Sequence, residues 1–205
     1  MQQRSSITRN RILDTVRELF LARNFGEVTV DQVAEGAQTT KGGVYHHFGS
    51  KEELYLAMLH RDLEQKAALF ARSVEMEGDV RTRLRRLTLD YFKLPVRQRE
   101  AITLIRRDIN RFEGKERKRL VRAYQEALPG KVESILVDGI HSGDLPLCDA
   151  RLLSWSFVAL VEVSLSPHAG RIFPGAEAKL DHVLHLFFDG AAASTQAVPV
   201  KRKVS

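Results

Sequence analysis

Two capping boxes constrain this chain more than any other feature. Thr29-Val30-Asp31-Gln32 and Ser50-Lys51-Glu52-Glu53 each set a hydroxyl residue three positions ahead of a Gln or Glu. That spacing lets side chain and backbone satisfy each other's free groups at a helix start. One helix therefore begins near residue 30 and another near residue 51. The stretch between them has room for a short helix, a turn and a second short helix. The segment before it is helical too: Ile12, Leu13, Val16, Leu19 and Phe20 recur on one face of a 3.6-residue period. Thr8 is its expected N-cap and Phe25-Gly26 its stop.

In the first short helix, Val30, Val33, Ala34 and Ala37 supply the apolar face. The second runs from about Thr40 to His47, closed by Gly49. Two glycines make it a poor helix on propensity, so packing must hold it. Leu54, Ala57 and Met58 carry the next helix to about Glu75, where Gly78-Asp79 breaks it. Further helices are predicted over Val80–Leu94, Gln98–Arg111, Lys115–Ser142 (kinked or split at Pro129-Gly130), Asp149–Ser166 and Glu177–Ala192. No strand pattern and no repeat is visible. The tail from residue 193 to 205 reads as disordered and basic.

Bulk properties bound the function. With 205 residues the chain can bury a good core. A single cysteine, Cys148, excludes an internal disulfide framework and fits a reducing compartment. No secretory signal is visible, and the apolar run Leu152 to Leu165 is too short for a membrane span. A cytoplasmic protein with no membrane partner is expected. The net charge is +6, but residues 81–131 hold 16 Lys and Arg against 6 Asp and Glu, while residues 1–80 hold 10 against 12. The surplus is in the middle of the chain, so DNA binding by the N-terminal part must rest on its motif.

Two short helices joined by about three residues, after a longer helix, is the plan of a helix-turn-helix. The residues then make it specific. TVDQVAEGAQTTKGGVYHHFGSKEEL, from Thr29 to Leu54, resembles the N-terminal domain of the TetR family of bacterial transcriptional regulators. The resemblance rests on Thr29, Val33-Ala34, Ala37, Thr40-Lys41-Gly42, Val44 to Phe48, and Ser50 to Leu54, and covers roughly residues 8–60. ILVDGIHSGDL, from Ile135 to Leu145, is a weaker echo of a later stretch in many members. Two positions depart from the family pattern. Gln38 stands where the turn usually has glycine, at a position that often needs φ > 0. Gly43 replaces a larger residue that often reads a base.

The resemblance implies an all-α fold of about nine helices. Residues 1–50 would be the helix-turn-helix domain, connected through a helix over 51–76. Residues 51–192 would form an effector-binding and dimerisation bundle. It implies a double-stranded DNA operator contacted by Thr29, Thr39, Thr40, Lys41, Gly42, Gly43, Tyr45, His46 and Lys51. Thr39 and Thr40 suit a phosphate at a helix N-terminus; Lys41 can reach a guanine edge or a phosphate; Thr29 and Lys51 clamp phosphates on either side of the groove. Arg4, Arg9 and Arg11 could add backbone contacts. His47 and Phe48 are expected to pack inward. Neighbouring histidines point apart on a helix, so no metal site is expected, and the glycine pair lacks nucleotide-loop spacing.

For the C-terminal part the resemblance implies a homodimer through the last two helices, with Leu153, Phe157, Val161, Val183, Leu184 and Phe187 as candidates. A small-molecule effector is implied among the middle helices, lined by Tyr91, Phe92, Ile105, Arg106, Phe112, Tyr124, Trp155 and Phe157. All of these could equally be plain core. The arginine-rich block admits two readings: solvated helix faces, or a site for an anionic lipid such as a fatty acyl-coenzyme A. The function expected is a transcriptional repressor released by its ligand, without cofactor or catalysis. A sequence-tolerant DNA-coating protein is the alternative; a helical-bundle enzyme or carrier fits less well, because His141, His168, His182, His185 and Cys148 form no catalytic pattern.

Overall fold

The computed structural model describes residues 2–190, with all side chains there except those of residues 2–4, 97, 100, 101, 103 and 106. Eleven α-helices and two 3-10 turns make up the described residues, without a strand. They are α1 (Gln2–Ala22), α2 (Val30–Gly36), α3 (Lys41–His47), α4 (Lys51–Glu75), α5 (Val80–Lys93), α6 (Val96–Asp108), α7 (Gly114–Ala127), α8 (Pro129–Ser142), α9 (Ala150–Ser164), α10 (Pro167–Ile172) and α11 (Ala176–Phe188). The 3-10 turns are Phe25–Glu27 and Ile109–Arg111. No described helix is long and apolar enough to cross a membrane.

The extra helices and shifted ends have local causes. Nothing in residues 2–7 stops a helix, so α1 runs past Thr8, which lies inside it rather than capping it. Leu128, with φ −131 and ψ −66, breaks the long middle segment, and Pro129 takes the first position of α8, where its missing N–H costs nothing. Ser166 caps α10 by accepting a hydrogen bond from Ala169 N, so two turns of helix form where the Gly and Pro content reads as a turn. The tail expected to be disordered lies outside the described residues.

The helices group into two compact units. The first holds the residues up to Gln65 together with Pro95–Ala123; the motif alone places its boundary earlier, at residue 50. In this unit α1 packs on α2 and α6, and α2 on α3. Ile12, Leu13, Val16 and Phe20 of α1 are fully buried, as are Tyr55, Met58 and Leu59 of α4. The rings of Phe20 and Tyr55 lie 4.4 Å apart, and Phe112 stacks on Tyr55 at 6.0 Å. The Tyr55 hydroxyl donates to Asp108 Oδ2 at 2.6 Å, tying α4 to the end of α6. Burial opposes ionisation of Asp108, but hydrogen bonds from Arg107 and Tyr55 and the charges of Arg107 and Arg111 outweigh it. Its carboxyl is held below the usual range. Burial, and then the bond to Asp108, pushes the Tyr55 phenol up.

The second unit holds Lys66–Leu94 and the residues from Tyr124 on. Here α5, α8, α9 and α11 pack against one another around Leu84, Leu87, Val132, Leu136, Phe157, Val161, Leu180 and Val183. Gly139 lets α5 and α8 come close: a Cβ there would sit 2.0 Å from Val80 Cγ2. The first arginines of the basic block are consumed by this packing. Arg81 pairs with Asp189 at 2.8 Å, Arg83 with Asp138 at 2.7 Å, and Arg85 with Glu177 at 2.7 Å and with Asp181. The positive α5 thus neutralises acidic residues of α8 and of the C-terminal part: these three arginines are ion-paired to other elements, neither solvated with i,i+4 partners nor gathered into an anion site.

Candidate nucleic-acid interface

The site is built by three caps and a turn. Thr29 Oγ1 accepts from Gln32 N at 3.3 Å while Gln32 Oε1 accepts from Thr29 N at 2.9 Å, closing the first capping box. Ser50 caps α4 by accepting from Glu53 N at 3.0 Å, but the Glu53 carboxylate reaches back to Gly49 N rather than to Ser50. Thr40 caps α3 through a bond from Gly43 N at 3.0 Å.

The turn between α2 and α3 is a Schellman motif: Thr39 N donates to Ala34 O at 2.9 Å and Gln38 N to Glu35 O at 3.0 Å. Gln38 occupies the left-handed position of that motif, with φ +50, the one described non-glycine residue with positive φ. The departure noted in the sequence is therefore accepted as strain, because the paired bonds on either side fix the backbone.

Val33, Ala34, Ala37, Val44 and Phe48 bury the inner faces of α2 and α3. That leaves Thr29, Thr40, Lys41, Gly42, Tyr45 and His46 exposed, with Thr39, Gly43, His47 and Lys51 half-buried. Tyr45 is 44% exposed, too open for a core tyrosine. Phe48 faces inward as expected, with the Arg9 guanidinium 5.2 Å from its ring centre; His47 is only partly covered. Arg4 lies among the residues whose side chains are not described. Gly43 has a steric reason: a Cβ would meet Thr39 Oγ1 at 2.6 Å and Thr40 Oγ1 at 3.3 Å. Its glycine makes room for two hydroxyls at the mouth of α3. Lys51 Nζ lies 4.4 Å from the centre of the Phe25 ring, which holds the long side chain over α4's first turn.

One partner was missed by reading the sequence. Lys41 Nζ donates to Asp31 Oδ2 at 2.9 Å, both side chains being more than half exposed. The hydrogen bond to Asp31 and then its charge hold the Lys41 ammonium above its ordinary pKa. Asp31 is ten residues away, outside any helical spacing, so only the packing of α2 on α3 reveals it.

The expected effector residues are divided. Tyr91 and Phe157 line one cavity of the second unit, with Leu87, Thr88, Leu128, Val132, Val158, Val161 and the carboxylate-bearing Glu162. It measures about 10 Å³, room for at most one water. Thr88 Oγ1 is buried there without a hydrogen-bond partner. Phe92 is buried and Tyr124 half-buried in the same unit, but neither lines the cavity. Trp155 is 46% exposed, with Arg151 stacked 5.5 Å from its ring centre, and does not line it either. Ile105 and Phe112 are core residues of the first unit. The Arg106 side chain lies outside the described residues.

The expected dimer residues are likewise mostly interior. Phe157, Val161, Val183 and Leu184 are buried within the second unit, and Leu153 and Phe187 half-buried. What α9 exposes instead is Leu152 at 61%, Trp155 at 46% and Val163 at 70%, with Ala159 between them.

A supporting helix, a bracing helix and a short exposed helix joined by a tight turn define a helix-turn-helix protein. Residues 12–58 match the family model for bacterial regulatory proteins of the tetR family. Over 75 residues the chain is 35% identical to the HTH-type transcriptional regulator UidR of Escherichia coli (strain K12). That match covers 37% of this chain and 38% of UidR, well under half of the relative's length. The transcriptional regulator FadR from Bacillus subtilis, solved with stearoyl-CoA, superposes with a TM-score of 0.74 at 16% identity, over 88% of this chain and 97% of that one. AibR, solved with isovaleryl coenzyme A and operator DNA, gives 0.73 at 20% identity, over 88% and 98%. At those identities the two structures speak for the fold. The likeness in sequence to the tetR family of bacterial regulatory proteins thus lies in the helix-turn-helix segment, residues 12–58.

Proposed function

We propose that this protein is a transcriptional repressor that binds operator DNA as a homodimer and is released by a small-molecule ligand. The observation that carries the proposal is the exposed row formed by Thr29, Thr40, Lys41, Tyr45 and His46 on an α2–α3 pair whose inner faces are buried. Hydroxyls and N–H groups at two helix starts suit phosphates, and Lys41 suits a base edge. Residues 1–50 would carry this activity and residues 51–192 the effector and dimer functions. The dimer face best supported is the exposed stripe Leu152, Trp155, Ala159 and Val163 of α9, with the earlier candidates acting as the core behind it.

The ligand would enter the second unit at the cavity under Tyr91 and Phe157. At about 10 Å³ it is far below the few hundred Å³ of a ligand site, so a ligand would have to part α5, α8 and α9 to enter. Such a rearrangement is what would alter the grip on DNA. An acyl thioester is the class we favour, on a lining for its acyl chain that is apolar apart from Thr88 and Glu162, and on the two similarly folded proteins solved with coenzyme A esters. The phosphates of such a ligand would need cations other than Arg81, Arg83 and Arg85, which are paired.

The test is a titration of purified protein onto DNA from upstream of its own gene, with competitor DNA, at two salt concentrations, with and without medium- and long-chain acyl-coenzyme A. Sequence-dependent binding relieved by a thioester is expected. Binding untouched by thioesters removes the ligand class, and binding with no preference over competitor removes the repressor in favour of a DNA-coating protein.

A further inference from the structure

The Lys41–Asp31 pair sits where a carboxylate is out of place. A surface that meets phosphates gains from cations and loses from every anion, yet Asp31 lies on the first turn of α2, 68% exposed, beside the mouth of α3. Acid in a first helical turn is favourable to that helix, which explains a carboxylate there but not its placement 2.9 Å from the ammonium of α3. That ammonium is the only Lys or Arg head group α3 has, and the two residues after it are glycines that offer no side chain. Direct reading of bases by the first turn of α3 therefore falls to Lys41 alone.

A lysine ammonium has three donors and rotates freely, so by itself it is indifferent between a phosphate and a base edge. We propose that Asp31 is a specificity-determining residue: it engages one donor of Lys41, repels the nearby phosphates, and leaves the two remaining donors for N7 and O6 of one guanine in each half-site. This rests on the DNA-reading role proposed above. The carboxylate thus lowers affinity for DNA in general and raises preference for one base.

The experiment is selection of bound sequences from random double-stranded DNA by the full chain, as wild type, Asp31→Asn, Lys41→Met and the double variant. The wild type is expected to enrich an inverted repeat with a guanine at one position of each half-site. Preference for that guanine is expected to fall about tenfold in Lys41→Met and in Asp31→Asn alike, with no further fall in the double variant. Asp31→Asn is also expected to bind random DNA more tightly than the wild type. An Asp31→Asn consensus identical to the wild type's, with all affinities raised equally, overturns the proposal and leaves Asp31 a simple repulsive charge. A guanine lost in Asp31→Asn but kept in Lys41→Met overturns it too, since the carboxylate would then act without the lysine. A wild type that enriches no repeat overturns the DNA-reading role itself, which the variants' agreement with one another cannot mimic.

Discussion

At the scale of single residues, the turn shows how much conformation a sequence discloses. The left-handed demand at position 38 is legible from the turn residues, and Gln38 meets it at φ +50. A non-glycine residue there costs about 1–2 kcal/mol, while glycine costs about 0.4–1 kcal/mol through the unfolded chain. Gln38→Gly is therefore expected to stabilise the protein by up to about 1 kcal/mol in denaturant unfolding; a loss of stability would show that the glutamine side chain has a role the backbone does not explain. Gly43 is the opposite case. In the sequence it reads as an absent base contact, and the reason for it, the Thr39 hydroxyl 2.6 Å from where a Cβ would go, exists only once the turn has folded. The Lys41–Asp31 pair is invisible to sequence for the same reason.

At the scale of elements, the capped helix starts of the first unit were readable, but a side-chain cap did not always disclose a helix. α2, α3 and α4 begin where Thr29, Thr40 and Ser50 put them. α1 has no such signal and overran Thr8, and α10 was hidden in a Ser-Pro sequence that also reads as a turn. The joint between α4 and α6 was unreadable, because Tyr55 and Asp108 are 53 residues apart. Tyr55→Phe deletes a hydrogen bond to a buried carboxylate and is expected to cost about 2 kcal/mol. Asp108 has a folded pKa below its unfolded value, so its contribution is present above about pH 4 and lost as pH falls below that. The stability difference between wild type and Asp108→Asn should therefore shrink as unfolding is followed from pH 7 to pH 3; a constant difference would contradict the ionised pairing. In the second unit, Gly139→Ala is expected to cost about 1–3 kcal/mol by collision with Val80, and Val80→Ala in the same chain should recover part of it.

At the scale of the whole molecule, α9 marks the limit of pattern reading. It is apolar on nearly every side, so periodicity alone could not say which side faces the core. The structure puts Phe157 and Val161 inside and Leu152, Trp155 and Val163 outside. Trp155→Glu with Val163→Glu is accordingly expected to turn a dimer into a folded monomer by sedimentation and to lower DNA affinity at least tenfold, because a half-site alone must then hold the protein. A dimer that survives both charges would place the interface elsewhere. Everything proposed for this protein requires that the α2–α3 face read DNA in pairs. Hydroxyl-radical footprinting on DNA upstream of the gene tests it most directly. Two protected patches related by symmetry and about one helical turn, roughly 10 bp, apart are the expected result; unbroken protection that spreads with protein concentration, without a fixed site, would contradict it.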